Sequence, residues 1–192
     1  MRDLFRGELV RLTAEEPGTR AKVEVQWQRD TEFHRLMDGD PTRMESQHKL
    51  REWFEKQSES DFKPEGYSFS VRTLEEDKHI GFFALWVDLI HSEAWVGIGI
   101  GDRQFWGKGY GTDVMKVILR YAFTEVNLRR VTLNVFEYNV RAIRSYEKTG
   151  FRHEGRMRQV LKREGQRWDM LFMGILREEW IHLQQQERGK IR

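Results

Sequence analysis

A cluster of glycines is the feature of this sequence that most directly indicates chemistry. Six of the 16 glycines fall within fifteen consecutive residues, namely Gly97, Gly99, Gly101, Gly107, Gly109 and Gly111. Three of them belong to the run Trp-Gly-Lys-Gly-Tyr-Gly-Thr at 106–112, between a predicted strand and a predicted amphipathic helix. Glycine lets a ligand approach the backbone closely, and the first N–H groups of a helix have no partner inside it. The run therefore suits an anion such as a pyrophosphate, although a plain flexible loop is an alternative that glycines alone leave open.

Residues on either side of this run extend the candidate site. Gly97 and Gly99 lie inside the strand predicted over 93–100, where glycines mark either a bulge or the close approach of a ligand. Asn139 and Tyr146 lie seven residues apart on one predicted helix, which separates them by about two turns. The run is not a P-loop, because no Gly-Lys-Ser/Thr follows four spacer residues, and the predicted elements do not support a dinucleotide fingerprint.

Composition narrows the possible chemistries. The chain has 192 residues, which predicts a single domain over 1–192. It has no cysteine, so a disulfide scaffold, a cysteine-ligated metal and a thiol nucleophile are excluded. The six histidines show no metal-ligand spacing, and we predict no metal site.

Charge and hydropathy indicate the surroundings in which the protein works. The 33 basic residues nearly balance the 31 acidic ones, so no dedicated nucleic-acid binder is predicted. The basic residues around the last predicted hairpin are Arg152, Arg156, Arg158, Lys162, Arg163 and Arg167, and we interpret them as a solvated strand face because Glu154 and Glu164 interrupt them. The longest apolar run, 80–87, is far shorter than the ~20 residues that cross a bilayer, and the charged first residues do not resemble a secretory signal. We expect no membrane partner and a cytoplasmic location.

The elements that must position these residues follow from apolar periodicity. Strands are predicted over 8–12, 67–73, 79–90, 93–100, 130–136, 151–162 and 167–176, and helices over 19–27, 31–37, 47–58 and 139–150. The polar segment 178–186 is predicted as a helix or a tail. A further helix follows the glycine run, with a buried stripe of Val114, Val117, Ile118, Tyr121 and Ala122. Asp30 or Thr31 is the predicted N-cap of the second helix, and Thr19 that of the first. The result is a mixed, largely antiparallel sheet with helices on its faces.

Three ordered blocks of this chain resemble the GNAT superfamily of acetyl-CoA-dependent N-acetyltransferases. Trp106-Gly107-Lys108-Gly109-Tyr110-Gly111 occupies the family's Gln/Arg-x-x-Gly-x-Gly/Ala loop, with Trp106 departing at the first position. The segment 139–151 resembles its Asn-x-x-Ala-x-x-x-Tyr-Glu-Lys-x-Gly-Phe block, and 174–180 the usual ending of the RimJ/RimL-like subgroup. The resemblance is strong over about 80–180 and weak before Tyr67. It implies the GNAT fold of the α+β (mixed α/β) class, a single twisted, mostly antiparallel sheet of about seven strands flanked by helices on both faces.

The resemblance also implies a cofactor site. In this family the strand before the loop parts from the next strand, and its backbone holds the pantetheine arm and thioester oxygen of acetyl-CoA. The corresponding residues here are Val96, Ile98, Gly99 and Ile100, and an N–H near Ile98 or Gly99 is the candidate donor to the oxyanion. The loop would hold the pyrophosphate through Gly107, Lys108, Gly109, Tyr110, Gly111 and Thr112. Asn139 is both a predicted N-cap and a family-type hydrogen-bonding partner of the cofactor.

Two side chains are candidates for proton transfer. Tyr146 matches the family's general acid, which would protonate the leaving thiolate, while packing of the helix on the sheet is its structural alternative. The sequence departs from the family pattern at the position of the general base, because Trp95 occupies the position at which related enzymes often carry Glu. Glu93 lies two residues earlier on the same strand face and is the candidate base, directly or through water, with a solvated turn residue as the alternative.

The acceptor is the least defined part of the prediction. The expected function is transfer of an acetyl group to a primary amine, with a peptide N-terminus, a polyamine or an antibiotic as acceptor. The alternative is a non-catalytic CoA-binding sensor or interaction module. Acceptor-side candidates are the aromatic residues Trp27, Phe33, Trp86 and Trp95 and the acidic residues Asp30, Glu32, Asp38 and Asp40, which are otherwise core and solvated residues. Dimers are frequent in such folds, so a homodimer is an open expectation.

Overall fold

The computed structural model describes residues 3–58 and 66–190, which form seven strands and six α-helices. The strands are β1 (Val10–Thr13), β2 (Gly66–Thr73), β3 (His79–Asp88), β4 (Glu93–Ile100), β5 (Arg130–Phe136), β6 (Arg152–Arg163) and β7 (Gln166–Leu176). The helices are α1 (Pro17–Trp27), α2 (Thr31–Met37), α3 (Gln47–Ser58), α4 (Tyr110–Thr124), α5 (Val140–Lys148) and α6 (Arg177–Lys190). A short 3-10 turn, Arg103–Phe105, lies between β4 and α4.

The strands form one sheet in the order β1-β2-β3-β4-β5-β7-β6. All neighbours are antiparallel except β4 and β5, which run parallel. This confirms the predicted GNAT fold with a mixed, mostly antiparallel sheet. The parallel pair is the point at which the chain leaves the sheet through the glycine run and α4 before it returns, so the loop lies at the end of β4.

Helices cover both faces of the sheet, as predicted. Adjacent residues of β3 point to opposite faces. Phe83 is fully buried in the main core together with Val114 and Ile118 of α4. Phe82 points to the other face, where its ring lies 6.4 Å from that of Trp27 in α1 and 6.5 Å from that of Phe33 in α2. The short helices α1 and α2 therefore form a second layer opposite α4.

Local chemistry explains how the helices of this second layer begin. Asp30 caps α2 as predicted, accepting hydrogen bonds from the backbone N–H groups of Glu32 and Phe33 at 3.0 and 3.2 Å. The prediction that Thr19 caps α1 is wrong, since the helix begins at Pro17 with Glu16 as its N-cap. Proline is preorganised for the first helical position, so α1 begins two residues before Thr19.

One further prediction is corrected. The third strand ends at Asp88 rather than at residue 90, because the Asp88 carboxylate accepts hydrogen bonds from the N–H groups of Ile90 and His91 and closes a turn. In α3, Phe54 is the buried aromatic residue and Trp53 is 51% exposed. None of the helices within the described ranges is both long enough and apolar enough to span a bilayer.

Candidate active site

A cavity of about 610 Å³ opens where β4 and β5 separate. β4 and β5 are paired only over Glu93–Arg130, Ala94–Val131 and Trp95–Thr132. Beyond this point β4 stays in register with β3 as far as Ile100, while β5 stays paired with β7 as far as Phe136. The backbone of 96–100 is thereby exposed to the cavity, which all five of these residues line. This geometry matches the expected parting of the strands around a pantetheine arm.

The two glycines inside β4 are explained by side-chain packing rather than by a bulge. The pairing of β3 with β4 runs without a register shift from Gly81–Ile100 to Asp88–Glu93, so the bulge alternative is wrong. A Cβ atom at Gly97 would lie 3.1 Å from the Trp86 ring, and one at Gly99 would lie 3.0 Å from the Phe82 ring. Glycine at both positions leaves room for the aromatic rings of β3 to pack directly against the β4 backbone.

The glycine run forms the N-terminus of α4. Gly107 and Gly109 have left-handed backbone conformations, with φ of 72° and 90°, which favour glycine. Gly109 is the N-cap of α4, and no side chain caps this end of the helix. Apart from its two neighbours in the chain, no described residue comes within 4 Å of a Cβ built on Gly107, so the loop leaves room for a ligand. Uncapped N–H groups beside open space, at the positive end of the helix dipole, form an anion site.

Other residues of the run hold the loop in place. Gly111 and Thr112 line the cavity together with Gly107 and Gly109, and the Thr112 hydroxyl lies 2.8 Å from that of Ser145, which joins α4 to α5. Lys108 and Tyr110 are not among the described residues that line the cavity. The Tyr110 ring instead packs edge-on against Phe105 with 4.9 Å between centroids.

Trp106, the residue that departs from the family pattern, anchors the loop. Its indole Nε1 donates a hydrogen bond to the carbonyl oxygen of Ile100 at 2.6 Å. The guanidinium of Arg141 lies over its ring, 4.0 Å from the centroid, and that of Arg103 lies at 5.1 Å. Trp106 therefore connects the end of β4 to the first turn of α5.

A row of basic residues on α5 was not identified from the sequence. Arg141, Arg144 and Lys148 line the cavity on the side of α5. Their spacing of three and four residues places them on one helix face, which is the signal that would have revealed them. These cations and the uncapped end of α4 face the same cavity, which therefore favours a ligand with several negative charges.

Asn139 and Tyr146 both line this cavity, as predicted. Asn139 is the N-cap of α5, where its side-chain oxygen accepts a hydrogen bond from the N–H of Ala142 at 3.2 Å. The ring of Tyr146 packs against Phe151 with 6.0 Å between centroids. Burial raises the pKa of Tyr146 to about 12, so the phenol stays protonated at neutral pH.

The predicted base and acceptor acids lie apart from the cavity. Glu93 is half-buried at the start of β4, opposite Asp88 and Arg130, and is not among the described lining residues, whereas Trp95 is. Its role as a base stays a prediction. Asp30 forms an ion pair with Arg103 that lowers the pKa of Asp30, and Glu32 lies 2.8 Å from the same guanidinium. Asp38 and Asp40 are exposed.

The predicted aromatic residues divide into two groups. Trp27 is buried, and a Cβ at Gly101 would overlap its ring, so it anchors α1 on the sheet. Phe33, Trp86 and Trp95 line the cavity. None of the described residues forms a group of three or more potential metal ligands.

Comparison with known proteins agrees with this geometry. A family model described as an acetyltransferase (GNAT) domain matches residues 9–152. The chain is 29% identical over 136 residues to YokL, a prophage-derived uncharacterized N-acetyltransferase of Bacillus subtilis (strain 168), covering 70% of this chain and 73% of that protein. It is 27% identical over 161 residues to the uncharacterized N-acetyltransferase p20 of Bacillus licheniformis, covering 83% and 89% of the two chains.

A solved structure extends the likeness over most of the chain. The spermidine N-acetyltransferase from Vibrio cholerae, in complex with CoA and spermine, superimposes with a TM-score of 0.78 at 25% sequence identity. The match covers 90% of this chain and 98% of that one.

Proposed function

This chain belongs to the GNAT acetyltransferase family, and we propose that it transfers the acetyl group of acetyl-CoA directly to a primary amine. The observation that carries the proposal is the continuity of one cavity. It runs from the uncapped N-terminus of α4, along the backbone of β4 where β5 has left it, to the aromatic residues at Trp95. A phosphate-bearing thioester and an acceptor would both reach such a space.

The residues that surround the cavity suit CoA. Gly107, Gly109 and Gly111 would bind the pyrophosphate through backbone N–H groups, with Thr112 at the same helix end. Arg141 and Arg144 would add charge-assisted contacts to phosphate oxygens. Val96, Ile98, Gly99 and Ile100 would bind the pantetheine arm through the backbone that β5 leaves exposed, with Asn139 opposite them. When bound, acetyl-CoA supplies the activated acetyl group.

Residues of this chain would then orient the reactants and manage protons. A backbone N–H at Ile98 or Gly99 would stabilise the developing oxyanion, a type of interaction that is often the largest single contribution to such reactions. Tyr146 Oη would supply the proton for the leaving sulfur. A pKa of about 12 makes the phenol a weaker acid than in water, but the desolvation that raises it would raise that of a thiol in the same cavity as well.

Removal of a proton from the amine is assigned to Glu93. Glu93 lies two residues along β4 from Trp95, which lines the cavity, so we place a water molecule between its carboxylate and the amine. An α-amine with a pKa of ~7.7–8.0 needs little help from a base at neutral pH, whereas a lysine-like amine near 10.4 needs more.

The proposal is tested by incubating the protein with acetyl-CoA and a panel of peptides, polyamines and aminoglycosides. Release of free thiol and mass spectrometry of the amine are measured together. We expect acetylated product from at least one amine, with one thiol released per acetyl group transferred. Tight CoA binding without transfer to any amine would instead support the non-catalytic CoA-binding module, and absence of CoA binding would overturn both.

A further inference from the structure

Two tryptophans form an exposed aromatic surface at the acceptor end of the cavity. Trp86 of β3 and Trp95 of β4 are cross-strand partners, and both line the cavity. Trp86 is 56% exposed and Trp95 is 40% exposed. Large exposed apolar side chains that adjoin each other mark binding surfaces more often than isolated ones do. A surface for an apolar group therefore adjoins the site of the proposed transfer.

Neighbouring residues hold the two rings in position. The Trp86 ring lies across Gly97, where even a Cβ atom would come within 3.1 Å of it. The Trp95 ring packs edge-on against Phe172 of β7, with 6.1 Å between centroids. Rigid aromatic side chains lose little conformational entropy when a ligand binds, so they make effective contact surfaces.

The remaining acceptor-side wall is mostly apolar. Leu36 and Met37 of α2 and Phe136 of β5 line it, and Asn134 of β5 adds an amide. Among the described residues 3–58 and 66–190, no Asp or Glu lines the cavity. The charged residues that line it are the α5 cations Arg141, Arg144 and Lys148. Burial of an ammonium group without a paired charge is unfavourable, and each further positive charge on an acceptor adds to that cost.

We propose that the acceptor is a monoamine that carries an aromatic or large apolar group, and that this group packs on Trp86 and Trp95. The inference rests on the proposed function, because it names the acceptor class for the same cavity. An aromatic ring would pack face-to-edge or offset against the indoles, and its single ammonium group would gain from the faces of the rings. The amine belongs either to a free small molecule or to an aromatic N-terminal residue of a peptide, and the experiment separates these two sources.

The test compares kcat/KM for acetylation of 2-phenylethylamine, n-butylamine and spermidine by the wild-type protein. Two peptides with N-terminal Phe and N-terminal Ala represent the other source. We expect 2-phenylethylamine to exceed both n-butylamine and spermidine by at least tenfold, or the Phe peptide to exceed the Ala peptide and spermidine by as much. Whichever pair shows the preference identifies the source. A preference for spermidine, or no effect of the ring in either pair, would overturn the inference.

Substitutions locate the preference on the two tryptophans. Trp86→Leu keeps apolar volume but removes the indole, and we expect it to abolish the preference for the aromatic acceptor while the CoA dissociation constant changes less than twofold. Trp95→Leu is the second variant, in case the first fails to fold. Trp53→Leu is the matched control, since Trp53 is similarly exposed but does not line the cavity. An aromatic preference that survives both cavity substitutions would overturn the assignment. Failure to bind CoA or to acetylate any amine would reject the proposed function itself.

Discussion

Gly109 and Gly165 share a left-handed backbone, with φ of 90° and 79°, but only Gly109 adjoins the candidate cofactor cavity. Gly109 is the uncapped N-cap of α4, and Gly165 lies in the turn between β6 and β7. Comparing substitutions at the two positions therefore separates the effect of backbone strain from the effect on the ligand site. A side chain would be strained at either position, by ~1–2 kcal/mol.

We predict that Gly109→Leu weakens binding of acetyl-CoA at least tenfold, which is about 1.4 kcal/mol, because the side chain blocks the approach of phosphate to the backbone. Gly165→Leu is the control and should leave the affinity unchanged while losing similar stability. Isothermal titration calorimetry of both folded variants provides the measurement. Equal affinities in the two variants would show that the pyrophosphate lies elsewhere.

Tyr146→Phe removes the candidate proton donor and keeps the ring that packs against Phe151. We expect kcat to fall by ~10²–10⁴, the usual contribution of a general acid, with little change in the dissociation constant of CoA. Since burial raises the pKa of Tyr146 to about 12, the wild-type rate should show no loss from tyrosine ionisation below pH ~10. A decrease of less than threefold would mean that water protonates the thiolate and that Tyr146 only packs.

Glu93→Gln tests the assigned base through the type of acceptor. About 10% of an α-amine is neutral at pH 7, but only about one molecule in 2,500 of a lysine-like amine is neutral. The free-energy cost of forming the neutral amine therefore differs by ~3 kcal/mol between the two. We expect the variant to lower kcat/KM at least tenfold for a high-pKa amine and less than threefold for an α-amine. Glu125→Gln, an exposed substitution at the end of α4, is the control. Unchanged pH profiles for a high-pKa acceptor would remove Glu93 from the mechanism.

His79 makes the stability of the fold sensitive to pH. Burial lowers its pKa to about 4, and its Nε2 lies 3.0 Å from the carbonyl oxygen of Gly81. Because the folded-state pKa is below the unfolded value near 6.5, the unfolded chain binds more protons as the pH falls toward 4. This histidine should therefore cost about 2 kcal/mol of stability between pH 7 and pH 5.

Urea denaturation at the two pH values measures this effect. The free energy of unfolding of His79→Gln should depend less on pH than that of the wild type, by roughly the 2 kcal/mol attributed to His79. His182→Gln, which replaces an exposed histidine of α6, should keep the wild-type dependence. The same pH dependence in both variants would assign it to other groups.

Much of the framework was evident from the sequence because it depends on neighbouring residues. The period of apolar residues predicted β4, β5 and α3 with the boundaries that the structure has. The position before α2 predicted Asp30 or Thr31 as the cap, and the structure has Asp30. The glycine run indicated an anion site because backbone conformation and helix polarity are local properties. The resemblance to the GNAT family added the topology, which no local pattern specifies.

The arrangement of the acceptor side depends on contacts between residues that are far apart in the sequence. Asp30 and Glu32 were candidates to attract an amine, but Arg103, more than seventy residues along the chain, binds both of them. Trp53 and Trp86 are the same residue type, and only the pairing of β3 with β4 places Trp86 beside the cavity. Coulomb and packing energies depend on distances in space. For residues far apart in the sequence, these distances are set only when the strands pair in their final register. Local patterns along the chain therefore specify the elements and the loop, whereas the assembled sheet specifies which charges are neutralised and which rings remain exposed.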